Sequence, residues 1–286
     1  MFAQQVYNGV ALGAVYALIA VGITLVYGLS RIIHFAVGEL VMFGSFIAWE
    51  VQNATGSWTL GIIAATLALA VAGFLTERGV FRFTLSAPMT GFIVSLGLIL
   101  VFQGLAIEIW SANPHYAQPP LRGAWDFGSV VVIKQTVLNI GIVVAMLAIS
   151  YYILMRTRFG KALRAVSDDS QAAALMGIPV RLVIMAAFIA GSALAGVAGW
   201  IILTNGSITP FVGANYLLRG FAVALIGGLG NIQGAALAGL GLGVLESLAA
   251  GYIAPGWNDA YVFAGMIAIL LWRPTGLAGG GEGAHL

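Results

Sequence analysis

The feature that most constrains this chain is a succession of apolar runs, each close to the length a helix needs to cross a bilayer. A helix requires about 20 apolar residues to traverse a hydrocarbon core of about 30 Å. Runs of that order fall at 6–29, 32–52, 58–76, 89–111, 135–155, 182–204, 233–252 and 258–272. A further apolar stretch at 217–230 is shorter and ends in Ile226-Gly227-Gly228-Leu229-Gly230-Asn231, which a regular helix tolerates poorly. It reads as a short or broken span, because non-helical backbone at membrane depth is tolerated where it is buried in protein or lines a cavity. The expectation is an all-α polytopic membrane protein of about eight to nine transmembrane helices. Composition agrees: 60% of the 286 residues are hydrophobic and 8% are charged, too little charge to clothe a water-facing surface.

Several functions are excluded at the same level. The basic residues are too few and too scattered to form a phosphate footprint, so no nucleic-acid partner is expected. There is no cysteine, hence no disulfide framework, thiolate metal site or cysteine nucleophile. No G-x-x-x-x-G-K-[ST] or H-E-x-x-H occurs, so neither P-loop nucleotide binding nor zincin chemistry is available to the chain. No Ser/His/Asp set falls in a common loop, and the chain is not expected to be an enzyme. Met1–Gln5 carries no positive charge, so the first apolar stretch reads as a retained span and not as a cleaved signal.

Lys and Arg concentrate on cytoplasmic loops. Alternating nine spans with loop 156–181 inside puts Arg31, Arg78, Arg82, Arg156, Arg158, Lys161, Arg164, Arg181 and Arg273 on the cytoplasmic side. Only Arg122, Lys134 and Arg219 fall outside or within the membrane. Residues 1–277 therefore form one transmembrane domain, and 278–286 is a Gly-rich tail without period or apolar face. The outer loop 112–134 carries Trp125-Asp126-Phe127-Gly128-Ser129 before Val130–Ile133, the pattern of a small hairpin with a Gly turn; a plain connector is the alternative.

Loop 156–181 carries helix punctuation. Ser167 is placed as an N-cap, with Asp168 and Asp169 in the first turn near the positive end of the helix dipole. Gln171-Ala172-Ala173-Ala174-Leu175-Met176 follows with strong helix propensity, then Gly177 as the C′ residue and Pro179 as a stop. Ala172, Leu175 and Met176 would form an apolar strip on a helix of about ten residues, too short to stand alone. Such a helix needs something to dock against.

Gln171-Ala172-Ala173-x-x-x-Gly177 resembles the Glu-Ala-Ala-x-x-x-Gly signature of ABC importer permeases, in which this loop forms a coupling helix seated in the ATPase subunit. Gln171 stands where the signature has Glu, leaving Asp168 or Asp169 to supply a negative charge. Further residues are similar to the branched-chain amino-acid permease family. They are Asn8-Gly9-Val10-Ala11-Leu12-Gly13 with Tyr16-Ala17-Leu18, and Phe35-Ala36-Val37-Gly38-Glu39. Phe159-Gly160-Lys161-Ala162-Leu163-Arg164-Ala165, the Ile226–Ala235 stretch and Arg273-Pro274-Thr275-Gly276-Leu277 extend the match. The best match is the shorter of that family's two paralogous permease subunits. His34, Val37 and Phe83 depart from the commoner residues of the family, which bears on the substrate and not on membership.

The resemblance implies a permease subunit of an importer for branched-chain amino acids, other amino acids, amides or urea. It implies partners: a second homologous permease, two ABC ATPase subunits that hold ATP-Mg, and a periplasmic solute-binding protein. It also implies residence in the bacterial inner membrane, and no cofactor on this chain itself. Lys161, Arg164, Asp168, Asp169, Gln171, Ala172, Ala173, Leu175, Met176 and Gly177 are then the ATPase-coupling candidates. An ATP-independent channel or secondary transporter is the alternative.

Ionisable groups inside spans are costly, so Glu39 and Glu246 are candidates for the pathway or its gating. For Glu39 the sharper reading is a cap on a broken helix, holding freed backbone donors; the plainer one is a packing carboxylate. His34 could carry a proton, but a hydrogen-bonded interior histidine is the simpler reading. No second His stands at a metal-ligand spacing, and no metal site is expected. Arg219, read at the outer face, could attract an anionic substrate or snorkel to headgroups. Gly227, Gly228, Gly230 and Asn231 could form a movable break, or the glycines from 227 to 243 could serve close helix packing alone.

Overall fold

The structure, a computed structural model, describes residues 1–278 apart from Ser86, Ser129 and Ala254. The expected Gly-rich tail beyond Ala278 and Ser129 of the expected hairpin turn lie outside the described residues. In chain order the elements are α1 (Phe2–Ser30), α2 (Val37–Thr55), α3 (Trp58–Gly79), α4 (Pro88–Trp110), β1 (His115–Tyr116), β2 (Ala124–Asp126), β3 (Val131–Ile133) and α5 (Lys134–Arg156). Then come α6 (Arg158–Asp168), α7 (Ser170–Leu175), α8 (Val180–Asn205), β4 (Ser207–Ile208), α9 (Val212–Gly227), α10 (Ile232–Tyr252) and α11 (Asn258–Trp272). Among the described residues six helices are long and apolar enough to cross a membrane, namely α1, α3 with its short continuation to Phe83, α4, α5, α8 and α10. The protein is an all-α polytopic membrane protein.

Helix α1 is apolar all round because it is enclosed all round: 83% of its most apolar window is buried, against 11% for α4 and 17% for α5. It packs on α10, α8 and α9. Lipid tails are as apolar as leucine, so helices in a bilayer associate through close packing, which small residues permit. A Cβ on Gly13 would lie 2.5 Å from the Gly239 carbonyl oxygen, and one on Gly239 would lie 2.6 Å from both Ala17 Cα and Cβ. The same device joins α2 to α8, where a Cβ on Gly44 would stand 2.9 Å from Gly196 Cα. Helices α4 and α5 form the periphery.

The expected span at 32–52 starts late. Arg31, in the left-handed region at φ 56, ends α1, and Ile32–Ala36 is not helical before α2 begins at Val37. Backbone groups freed by such a break must find partners where water is absent. Ser30 Oγ accepts from Ile32 N–H (3.2 Å), and Ser95 Oγ of α4 accepts from Phe35 N–H (3.3 Å). Two serine hydroxyls thus stabilise the non-helical stretch.

The short apolar segment is α9, and it runs from Val212, earlier than the 217 expected. Its two ends rest on the starts of other helices through glycine pairs. Gly213 meets Gly38 of α2, and Gly227 meets Gly234 of α10. The turn after α9 uses Gly228 (φ +95) and Gly230 (φ +93) in conformations that L side chains rarely adopt. Asn231 then caps α10, its Oδ1 accepting from Gly234 N–H at 2.9 Å. C-terminal residues close over this turn: Leu277 N–H donates to Ile226 O (2.7 Å) and Asn231 Nδ2 donates to Ala278 O (2.7 Å).

The outer loop contains the expected hairpin, β2 antiparallel to β3 with Trp125 opposite Val132. Asp126 Oδ1 accepts from Gly128 N–H (2.8 Å) at the turn. The carboxamide of Gln4 in α1 acts as a one-residue third strand. Its Oε1 accepts from Val131 N–H (2.7 Å) and its Nε2 donates to Val131 O (3.2 Å). Strand β1 pairs separately with β4.

Candidate functional site

The loop after α5 is built as two helices. Helix α6 runs from Arg158 to Asp168 and buries Gly160, Leu163 and Val166 along one side. The glycine at 160 lets α6 fold tightly against the end of α5, since a Cβ there would strike the Ile153 and Leu154 carbonyls. Ser167 is therefore not an N-cap: it lies inside α6, and its hydroxyl donates to Gly28 O of α1 at 2.9 Å. Arg31 Nη2 donates back to Ser167 O at 3.3 Å. The sequence signal for α6 was present in the spacing of Leu163 and Val166, but Ser167 was given to the next helix.

Asp169 is the residue that breaks the chain, with extended backbone at φ −150 and ψ 105. Its Oδ1 accepts from the N–H groups of Gln171 (2.8 Å) and Ala172 (3.0 Å), so it caps α7. Helix α7 is six residues, Ser170–Leu175, shorter than the ten expected. Gly177 (φ +82) ends it as expected, with Ile178 N–H bonded to Ala173 O and Gly177 N–H to Ala174 O, both at 3.0 Å. This is the Schellman pattern. Ala173 is the buried residue of α7, while Ala172 is exposed and Leu175 and Met176 are 90% and 83% exposed. The apolar strip therefore exists and is left uncovered among the described residues. Lys161 and Asp168 are exposed on α6; Arg164 is half-buried, bonded to Leu154 O. A cleft of about 240 Å³ opens beside them, lined by Tyr151, Leu163, Arg164, Ser167, Asn231 and Gln233.

The pathway candidates do not form one site. His34 lies in the break before α2, buried between the rings of Phe81 (4.5 Å) and Phe188 (5.7 Å). Among the described residues neither ring nitrogen has a hydrogen-bond partner, where a hydrogen-bonded histidine was expected. Glu39 sits in the first turn of α2, so the broken-helix reading of its surroundings holds. The expected capping does not: Glu39 Oε1 accepts from Gln103 Nε2 of α4 at 3.0 Å, and its Oε2 is buried without a partner among the described residues. Gly227, Gly228, Gly230 and Asn231 form the α9–α10 turn, with Gly230 stacked on Gly28 of α1.

Glu246 belongs to a third group, which the sequence reading missed. Arg219 projects from the middle of α9 into a polar cluster. Its Nη2 lies 2.8 Å from Asp259 Oδ1 and 3.7 Å from Glu246 Oε1. Its Nη1 donates to Tyr16 Oη of α1 at 3.0 Å. Four helices meet through these side chains. Only tertiary packing brings Asp259, on α11, to Arg219, and no local pattern announces it.

A lipid-embedded helical body, a capped loop helix with an unpartnered apolar face, and charged groups buried between spans together define a membrane permease. Among the described residues no group of three or more His, Cys, Asp or Glu could hold a metal ion. Residues 5–271 match the family described as branched-chain amino acid transport system, permease component, and the chain belongs to that family. It is a transport component and not an enzyme. It is 35% identical over 296 residues to the high-affinity branched-chain amino acid transport system permease protein LivH of Salmonella typhimurium, covering 97% of this chain and 96% of that one. It is 30% identical to BraD of Pseudomonas aeruginosa, a permease protein of the same description, with the same coverage. It is more distantly similar, at 24% identity over 87% of the chain and 77% of the relative, to the fructose import permease protein FruG of Bifidobacterium longum. No solved structure matches.

Proposed function

We propose that this chain is a transmembrane permease subunit of an ABC importer that takes up branched-chain amino acids or related small solutes, driven by ATP hydrolysis on separate ATPase subunits. The observation that carries the reading is α7. It is a six-residue helix closed at both ends by side-chain and backbone caps, yet it leaves Leu175 and Met176 in solvent. Exposure of two large apolar side chains on so short a helix is costly unless a partner covers them. The candidates from Lys161 to Gly177 are the ATPase-facing surface, and Ser167 links that surface to α1. The eight or nine spans are the six long helices with α2, α11 and the short α9, and loop 156–181 lies in the cytoplasm of a bacterial inner-membrane protein. The domain is 1–277. Its partners are a second, homologous permease in a heterodimer, two ATPases holding ATP-Mg, and a periplasmic binding protein; this chain binds no cofactor. His34, Glu39, Gly227, Gly228, Gly230, Asn231 and Glu246 are assigned to the pathway or its gating.

The test is to tag the chain, solubilise native membranes mildly and identify what co-purifies by mass spectrometry. A P-loop ATPase and a second permease are expected; recovery of the chain alone, still moving solute in liposomes without ATP, overturns the reading. In the assembled importer, Leu175→Asp with Gly177→Pro should leave ATP hydrolysis running while transport stops. Normal transport by that double variant would remove α7 from the coupling role.

A further inference from the structure

The cluster around Arg219 holds more acceptors than donors. Two carboxylates, Glu246 and Asp259, face one guanidinium. Arg219 spends Nε and Nη2 on the same Asp259 oxygen, at 3.3 and 2.8 Å, and Nη1 on Tyr16. Its approach to Glu246 is 3.7 Å, beyond hydrogen-bond distance. The Tyr16 hydroxyl is within reach of Glu246 and can satisfy one carboxylate oxygen. The other, Glu246 Oε2, is buried without a partner among the described residues, on a side chain 2% exposed. Asn258, the neighbour of Asp259, likewise buries an Oδ1 without a partner among the described residues. Buried polar groups are ordinarily paired, and leaving one unpaired is costly. The group is also open on one side: the Asp259 side chain is 70% exposed and that of Arg219 is 20% exposed.

Unused acceptors and an excess of negative charge call for a ligand that brings N–H donors and one positive charge. A primary ammonium does both, with three donors on a compact cation. Arg219, displaced from Asp259, would then face an anionic group carried by the same ligand, a pairing that a guanidinium makes well. We propose that Glu246, Asp259 and Arg219 form an intramembrane station for a primary ammonium that lies beside an anionic group. Tyr16 is its positioning residue, holding Arg219 and Glu246 in register. Two molecules carry that chemistry at this place: an α-amino acid in transit, and the headgroup of phosphatidylethanolamine. The amino-acid source rests on the importer reading above; the lipid source does not.

The test uses the assembled importer in proteoliposomes of phosphatidylcholine alone, and of phosphatidylcholine with phosphatidylethanolamine. Wild-type leucine uptake is challenged with isoamylamine, which keeps the ammonium and lacks the carboxylate, and with 4-methylpentanoate, which has the reverse. Competition by the amine, whether or not the acid also competes, equal in both vesicles, assigns the station to the transported amino acid. Uptake that needs phosphatidylethanolamine, without amine competition, assigns it to the lipid. In either case Glu246→Gln should lower uptake by about tenfold, the factor lost with one charge-assisted hydrogen bond, while ATP hydrolysis and subunit recovery persist. Arg219→Lys should retain more activity than Arg219→Gln. Neither competition nor lipid dependence in the wild type overturns the proposal, and needs no variant to fold. Loss of ATP dependence would instead count against the importer reading and leave the competition result interpretable.

Discussion

Two glycines two residues apart on α10 should respond to the same substitution with opposite sign. Gly239 faces α1, and a Cβ there would stand 2.6 Å from Ala17 Cα and Cβ. Carbon atoms in contact prefer about 3.5–4.0 Å, so Gly239→Ala must drive α1 and α10 apart by about 1 Å. A gap of that size forfeits between a quarter and a half of each contact it opens, and both atoms struck belong to a residue that is fully buried. The expected cost is about 2–3 kcal/mol, the upper part of the range for overpacking. Gly241 has nothing within 4 Å of its Cβ position. There alanine only replaces the poorest ordinary helix residue, and the expected gain is about 0.5–1 kcal/mol. Unfolding of the purified protein in mixed micelles, titrated with sodium dodecyl sulfate and followed by circular dichroism, should separate the two variants by about 3 kcal/mol. Equal stabilities for the two variants would refute the claim that glycine-mediated contact between α1 and α10 holds the bundle together.

Two further outcomes follow from individual contacts. Asp169→Ala removes both side-chain bonds that cap α7, worth about 1 kcal/mol; amides of 171–176 should exchange about fivefold faster by hydrogen exchange, with α8 unchanged. Gln103→Leu strips Glu39 of its side-chain donor among the described residues, and should destabilise the protein more than Glu39→Leu with Gln103→Leu together, because an orphaned carboxylate costs more than an absent pair; detergent denaturation of the single and double variants measures the difference.

Helix lengths were legible because lipid imposes one requirement on every residue of a span, so apolar runs mark their own ends within a few positions. The first turn of the second run was misread for the same reason. Ile32, Phe35 and Ala36 are apolar whether helical or extended, and what permits the break is Ser95, a residue of another span. At the loop, Gly177 was decisive because a left-handed backbone is a local demand. Ser167 and Asp169 were both competent caps on local grounds, and a carbonyl of α1 drew Ser167 away. The cluster around Arg219 was not legible, because a positive-charge rule counts arginines by loop and span and says nothing of their partners. The actual partners of Arg219 come from three other helices, and periodicity carries no record of them.

The enclosure of α1 has a consequence for how the chain is made. Among the described spans, the helix that comes earliest in the chain is the most hidden, and its closest companion, α10, comes more than 200 residues later. The bond from Ser247 to Gln5 joins positions 242 residues apart. Until α10 arrives, the groove containing Gly9 and Gly13 can be filled only by lipid tails or by helices that are not its final neighbours. Assembly of the bundle is therefore a late event, and a chain interrupted before α10 leaves α1 uncovered on the side that α10 would fill.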